Sequence, residues 1–173
     1  MSLKLQKWLV VSLVAGMAAC GGNNSKNSPT GPSGSSAAGT WTGTLTRPGG
    51  AAPISVRWEA KVQGESDLTG PMTLTNGGAT VTITAKASTA GNDKSGYSIH
   101  MQLSSNSGDI PAFPSCAVRG NTAGNGQGDP FAQPYTAISV PNLDISYAGC
   151  AGFVDYSGQA NFLQETARLS LNK

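Results

Sequence analysis

The residues able to do chemistry are few. His100 is the only histidine in the 173-residue chain. As a general base it needs a carboxylate to orient it and a reacting group within reach. It shares parity with Ser98 and Gln102 in an alternating run, which places it on a polar, water-facing side. Asp109, Asp129 and Asp155 fall in turn-rich segments. Two of them side by side would suit glycoside hydrolysis, but nothing in their spacing joins them. Asp129 with Asn121 and Asn125 supplies one carboxylate, too few for a calcium cage. The glycines between 120 and 128 lack the Gly-Lys-Ser/Thr ending of a phosphate loop. Neither G-x-S-x-G nor H-E-x-x-H occurs. The expectation is a protein that is not an enzyme, with no catalytic residue, no metal and no cofactor.

The elements around these residues begin with an export segment. Lys4 and Lys7 precede an almost unbroken apolar run of 12 residues, Trp8 to Ala19. A helix crossing a bilayer needs roughly 20 apolar residues, so the run fits the hydrophobic region of a secretory signal instead. Met17-Ala18-Ala19-Cys20 follows. This segment resembles the lipobox of bacterial lipoproteins, with Met17 where leucine is usual. The resemblance implies a signal peptide at 1–19, cleaved before Cys20. It implies a diacylglycerol thioether on the Cys20 sulfur and an acyl chain such as palmitate on the freed amine. Each buried methylene contributes about 0.8 kcal/mol, so two or three chains make a lasting anchor. The membrane is then a partner through the N-terminal lipid, and the location is the cell envelope. Gly21, where the family carries Asp for inner-membrane retention, implies the outer membrane. The alternative is an ordinary signal peptide with Cys20 a chance thiol.

Residues 21–38 hold no large apolar side chain. With Cys20 they read as a lipidated, flexible tether at 20–38, spanning about 21–25 Å on average. A single domain then occupies 39–173. The formal charge of +2 comes entirely from Lys4 and Lys7, which leaves the chain after Ala19 neutral. A neutral domain has no basic face for phosphates, which argues against nucleic acid as a partner. Charged residues are 12% of the chain, about half the usual share, and Gly, Ser, Thr and Asn replace them. If Cys20 carries lipid, Cys116 and Cys150 remain. An exported chain meets an oxidising compartment, where two such thiols pair by default. The alternative is two buried free thiols; with His100 they are too few for structural zinc.

Strand patterns then arrive at regular spacing. Trp41, Gly43 and Leu45 alternate with Thr40, Thr42, Thr44 and Thr46. From Ile54 to Val62 apolar and polar residues alternate without an exception, as in a strand with one wet face. Leu68, Gly70, Met72 and Leu74 continue, with Pro71 marking an edge or a bulge. Asn76-Gly77-Gly78 is a hairpin signal. Val81, Ile83, Ala85 and Ala87 face in on the fourth strand, and Tyr97, Ile99, Met101 and Leu103 on the fifth. After a loop at 105–115, Cys116 and Val118 begin a short strand, and 121–134 is a second long loop. Ile138 and Val140 have one parity and Leu143, Ile145 and Tyr147 the other, so the phase slips at Pro141-Asn142 through a bulge or a tight turn. Tyr156, Gly158, Ala160 and Phe162 read as a further strand, and Ala167, Leu169 and Leu171 as the last.

The fold class is therefore all-β: an antiparallel up-and-down meander of about 8–10 strands closing into a barrel, which removes its edges. Gly39-Thr40-Trp41 resembles the G-x-W opening of lipocalin-like barrels. The chain as a whole is similar to uncharacterised small β-barrel lipoproteins. A lipocalin-like barrel without a packed helix implies a small apolar ligand or lipid. Trp41, Trp58, Tyr97, Met101 and Tyr147 are the candidate ligand-binding residues. Trp41 and Trp58 either line a pocket mouth or pack the core. Phe113, Phe131 and Tyr135, in or beside the long loops, either contact partners or cap a barrel end. The competing expectation is a ligand-free structural or protein-interaction module of the envelope with a filled interior. An open apolar cavity of about 300 Å³ or more would favour the first.

Overall fold

Every second side chain from Ile54 to Ala60 is buried, and the same two-residue rhythm runs through the other strands of the computed structural model. The structure describes residues 37–64, 67–92, 96–122 and 137–173. Eight strands are formed: β1 (Gly39–Thr46), β2 (Ile54–Gln63), β3 (Asp67–Asn76), β4 (Ala79–Asn92), β5 (Gly96–Ser104), β6 (Ala117–Thr122), β7 (Ala137–Ala148) and β8 (Phe162–Asn172). Each pairs antiparallel with the next, and β8 pairs with β1 to close the barrel. Following the register from Trp41 through Trp58, Met72 and Ile83 to Val118 and Tyr147, the row meets β1 again about ten residues further on, as tilted strands in a closed barrel require.

The alternation places Trp41, Leu45, Ile54, Trp58, Met72, Leu74, Ile99, Met101 and Tyr147 inside. The inward glycines serve close packing. A Cβ on Gly43 would stand 1.9 Å from the Ser170 carbonyl oxygen, and one on Gly70 would stand 1.9 Å from that of Glu59. Only residues without a side chain allow the neighbouring backbones so near. β6 is short, and two buried hydroxyls extend its ladder. Ser105 Oγ accepts from Val118 N at 2.9 Å, and Thr122 Oγ1 accepts from Met101 N at 2.7 Å. The outer wall carries Thr42, Thr44, Ser55, Arg57, Thr80 and Thr82, all exposed. Thr75 and Thr80 hydroxyls meet across strands at 3.2 Å. A wall of this kind faces water, whereas a membrane-spanning barrel turns an apolar band outward.

Several expectations change. The strand read at 156–162 is a loop that ends where β8 begins. Ser157 and Asn161 have φ of 33° and 54° and Gly158 has 88°, which a strand cannot contain. Small residues had imitated the alternation there. Phe162 opens β8 with the parity opposite to Ala167, Leu169 and Leu171, so it points outward and is 45% exposed. Val62, in phase with the β2 core, is 38% exposed near the strand end. Pro71 marks no edge: it pairs with Thr84 of β4, and the β2–β3 ladder skips it, where its missing N–H has nothing to donate. The phase slip at 141–142 is a bulge inside one continuous strand, β7, between Val140 and Leu143.

Candidate functional site

The barrel has two unlike ends. One end gathers Ala37, the start of β1 and Lys173. Ala37 is fully buried, and its carbonyl accepts from Trp41 Nε1 at 3.0 Å. The Lys173 ammonium lies 5.8 Å from the centre of the Trp41 ring. At the opposite, loop end, the connections 105–116 and 149–161 meet. A Cys116–Cys150 disulfide joins them, with both cysteines buried.

The loop end is plugged rather than open. Ile110, Phe153 and Val154 are buried there, and Phe113 packs on them. The Phe153 ring stands 6.5 Å from that of Phe113 and 6.2 Å from that of Tyr147. Polar contacts fix the plug. Asn76 Nδ2 donates to the Phe153 carbonyl at 2.5 Å, and Cys150 N donates to the Tyr156 hydroxyl. Arg119 donates to the Ser105 carbonyl at 2.6 Å. Asp109 accepts from Asn106 N at 2.6 Å, and Asp155 from Ser157 N at 3.1 Å. Each carboxylate thus holds its own turn.

The candidate ligand residues lie inside the wall. Trp41 pairs with Trp58 across β1–β2, and Trp58 with Met72 across β2–β3. Met101 lies opposite Ala87, and Tyr147 opposite Val118. Trp41, Trp58, Met101 and Tyr147 each have 0% of their surface accessible. A void large enough for water would leave some accessible area on its lining, so these side chains fill their space, as an eight-stranded interior allows. The structure brings them together as packing. The side chain of Tyr97 lies outside the described ones, as do Cys20, Asp129, Phe131 and Tyr135 outside the described residues. His100 sits on β5 opposite Ser88, half-buried on the outer face.

Beneath the plug is a polar cluster that the alternation pattern contained but the reading of it passed over. Arg47 Nε and Glu165 Oε1 form an ion pair at 2.7 Å, with side chains only 9% and 6% exposed. Burial pushes the Tyr147 hydroxyl well above its ordinary pKa; the neighbouring Glu165 carboxylate raises it further and Arg47 opposes. The hydroxyl is close enough to feel that carboxylate, yet it makes no hydrogen bond of regular geometry, and neither does the buried Trp58 Nε1. The signal was parity. Arg47 follows Trp41, Gly43 and Leu45 at the same spacing, and Glu165 precedes Ala167, Leu169 and Leu171.

Depressions open on the outside of the described residues. One, of about 660 Å³, lies between the Asn76-Gly77 hairpin and residues 151–158 at the loop end. A smaller one, about 180 Å³, lies by Arg119, Gly120 and Asp144 on the outer wall. Neither is lined by a candidate ligand residue. Among the described residues no three His, Cys, Asp or Glu side chains group as metal ligands. No family model, curated protein or solved structure matches the chain.

Proposed function

We propose that this protein is a non-catalytic interaction module of the cell envelope, held on the membrane by lipid at Cys20, with a solid barrel that presents its loop end to a partner. The observation that carries this reading is the complete burial of Trp41, Trp58, Met101 and Tyr147. It favours the filled-interior alternative over a lipid-binding lumen. Support for the direction of presentation comes from the chain path. The tether joins at Ala37 on one end, and the disulfide-braced loops occupy the other. Rigid loops on a rigid frame lose little freedom on binding, which favours recognition.

Native mass spectrometry of detergent-extracted protein tests both halves. The expected mass is the chain from Cys20 plus acyl groups and nothing more. A stoichiometric apolar molecule released on denaturation would show that the barrel carries cargo. A chain with no acylation, or one retaining residues 1–19, would remove the anchor. Photo-crosslinkers placed at Ala151 and at Lys61, on opposite ends, should react with envelope material at Ala151 alone. Equal reaction at both sites would refute presentation by the loop end.

A further inference from the structure

The depression at the loop end has a chemistry of its own, and we propose that it is a binding site for a neutral, hydroxyl-rich ligand, the end of an uncharged glycan chain. The proposal rests on the reading of the loop end as the presented face. The depression is broad, about 660 Å³, and open to solvent. Its lining rules out other classes in turn. No Lys, Arg or His lines it, so an anion has no counter-charge. Asp155 is its one carboxylate and already accepts from Ser157 N and Ser157 Oγ, at 3.1 and 3.3 Å, which leaves too few oxygens to cage a cation. Its large apolar residues, Phe153 and Val154, are 2% and 4% exposed, so an alkyl chain would find little surface to cover.

What remains is a mixed surface of polar and apolar atoms with no counter-charge for an anion. At Gly77 and Gly158 nothing stands within 4 Å of where a side chain would begin. A ligand can therefore approach the backbone at these two positions without meeting a side chain. The Asn76 amide, the Ser157 hydroxyl and the half-exposed Tyr156 ring complete the lining. Sugar hydroxyls, which both donate and accept, suit such a surface. The site is also held in advance of binding, since the disulfide, the Cys150–Tyr156 contact and the Asn76–Phe153 bond fix its walls.

The test is calorimetric titration of the full lipidated chain in detergent with chitotetraose and maltotetraose. A heparin tetrasaccharide and palmitic acid serve as anionic and apolar controls. At least one neutral oligosaccharide should bind saturably, and neither control should. Ala151→Trp, which fills the depression from an exposed position, should weaken that binding at least about tenfold. Lys61→Ala, on the tether end, should leave it within about threefold. Thermal unfolding close to the parent's shows that each variant is folded. Silence with both neutral sugars at millimolar concentration, or tighter binding of heparin or palmitate, overturns the inference, as does full affinity in Ala151→Trp. Silent sugars together with crosslinking at Ala151 alone would remove the glycan and leave the loop-end reading standing.

Discussion

Replacing Arg47 by methionine isolates the charge beneath the plug. The Arg47–Glu165 atoms are 2.7 Å apart and the side chains 9% and 6% exposed. At an effective dielectric constant of about 20, opposite charges at that separation attract by about 6 kcal/mol before desolvation is counted. Arg47→Met keeps most of the aliphatic volume but leaves the Glu165 carboxylate buried beside the Tyr147 ring, without its partner. Loss of one member of a buried pair costs about 3–5 kcal/mol. Glu165→Leu should cost a similar amount by stranding the guanidinium. The double variant Arg47→Met/Glu165→Leu buries no unpaired charge, so it should recover most of the loss and fall within about 1–2 kcal/mol of the parent. Urea unfolding of the oxidised protein, followed by tryptophan fluorescence, gives all four corners of the cycle. Single variants that each cost under about 1 kcal/mol would mean that water reaches the pair. A double variant as unstable as the singles would mean that the pair acts through packing, not charge.

Three other perturbations address separate parts of the molecule. Replacing Cys116 and Cys150 by alanine opens a loop of 34 residues' separation and should lower stability by about 4 kcal/mol in the chain-entropy model; limited proteolysis should then cut first between 149 and 161. Stability should fall as pH rises above about 10, because the unfolded chain loses the Tyr147 proton at its ordinary pKa while the folded chain, with its raised pKa, still holds it. Tyr147→Phe should flatten that part of the denaturation-versus-pH curve and change little at neutrality; an unchanged alkaline slope would refute the assignment. Trp58→Ala should cost about 3–5 kcal/mol and create an apolar hole in a barrel that has none at that position, detectable as xenon or benzene binding absent from the parent.

The meander was readable because one face of each strand is wet. Where that contrast is complete, as from Ile54 to Ala60, the alternation fixes the strand and its inward face together. It weakens where residues are small. Gly158 and Ala160 carry no inward or outward preference, so a loop with positive φ at 157, 158 and 161 passed for a strand. The parity of Phe162 against Leu169 and Leu171 held the correction, since one strand cannot present both faces inward. Glu165 and Arg47 were overlooked for the opposite reason. Pattern reading treats a charge as an outward residue, although each stands in inward phase and each is the other's counter-ion from 118 positions away. The Cys116–Cys150 pair followed from compartment chemistry alone. The depression had no signal in sequence, because it is made by two loops that meet only once the barrel has closed.

The entry of the chain into β1 at Ala37 has a mechanical side. β1 lies between β2 and β8, paired to both over much of its length. If the lipid holds one end of the molecule and a partner holds the other, tension enters at Gly39 and runs along the strand direction. The hydrogen bonds of both ladders are then loaded together in shear, rather than opened one at a time like a zipper. The buried Trp41 ring, with its indole bonded to Ala37, stands as a stopper where the force arrives. At the far end the disulfide passes load between two loops through a covalent link. A barrel built this way would yield by slipping a whole strand at once, so pulling from the tether in a force spectrometer should give a single high rupture peak, and pulling across β1 and β2 at the loop end a lower, drawn-out one.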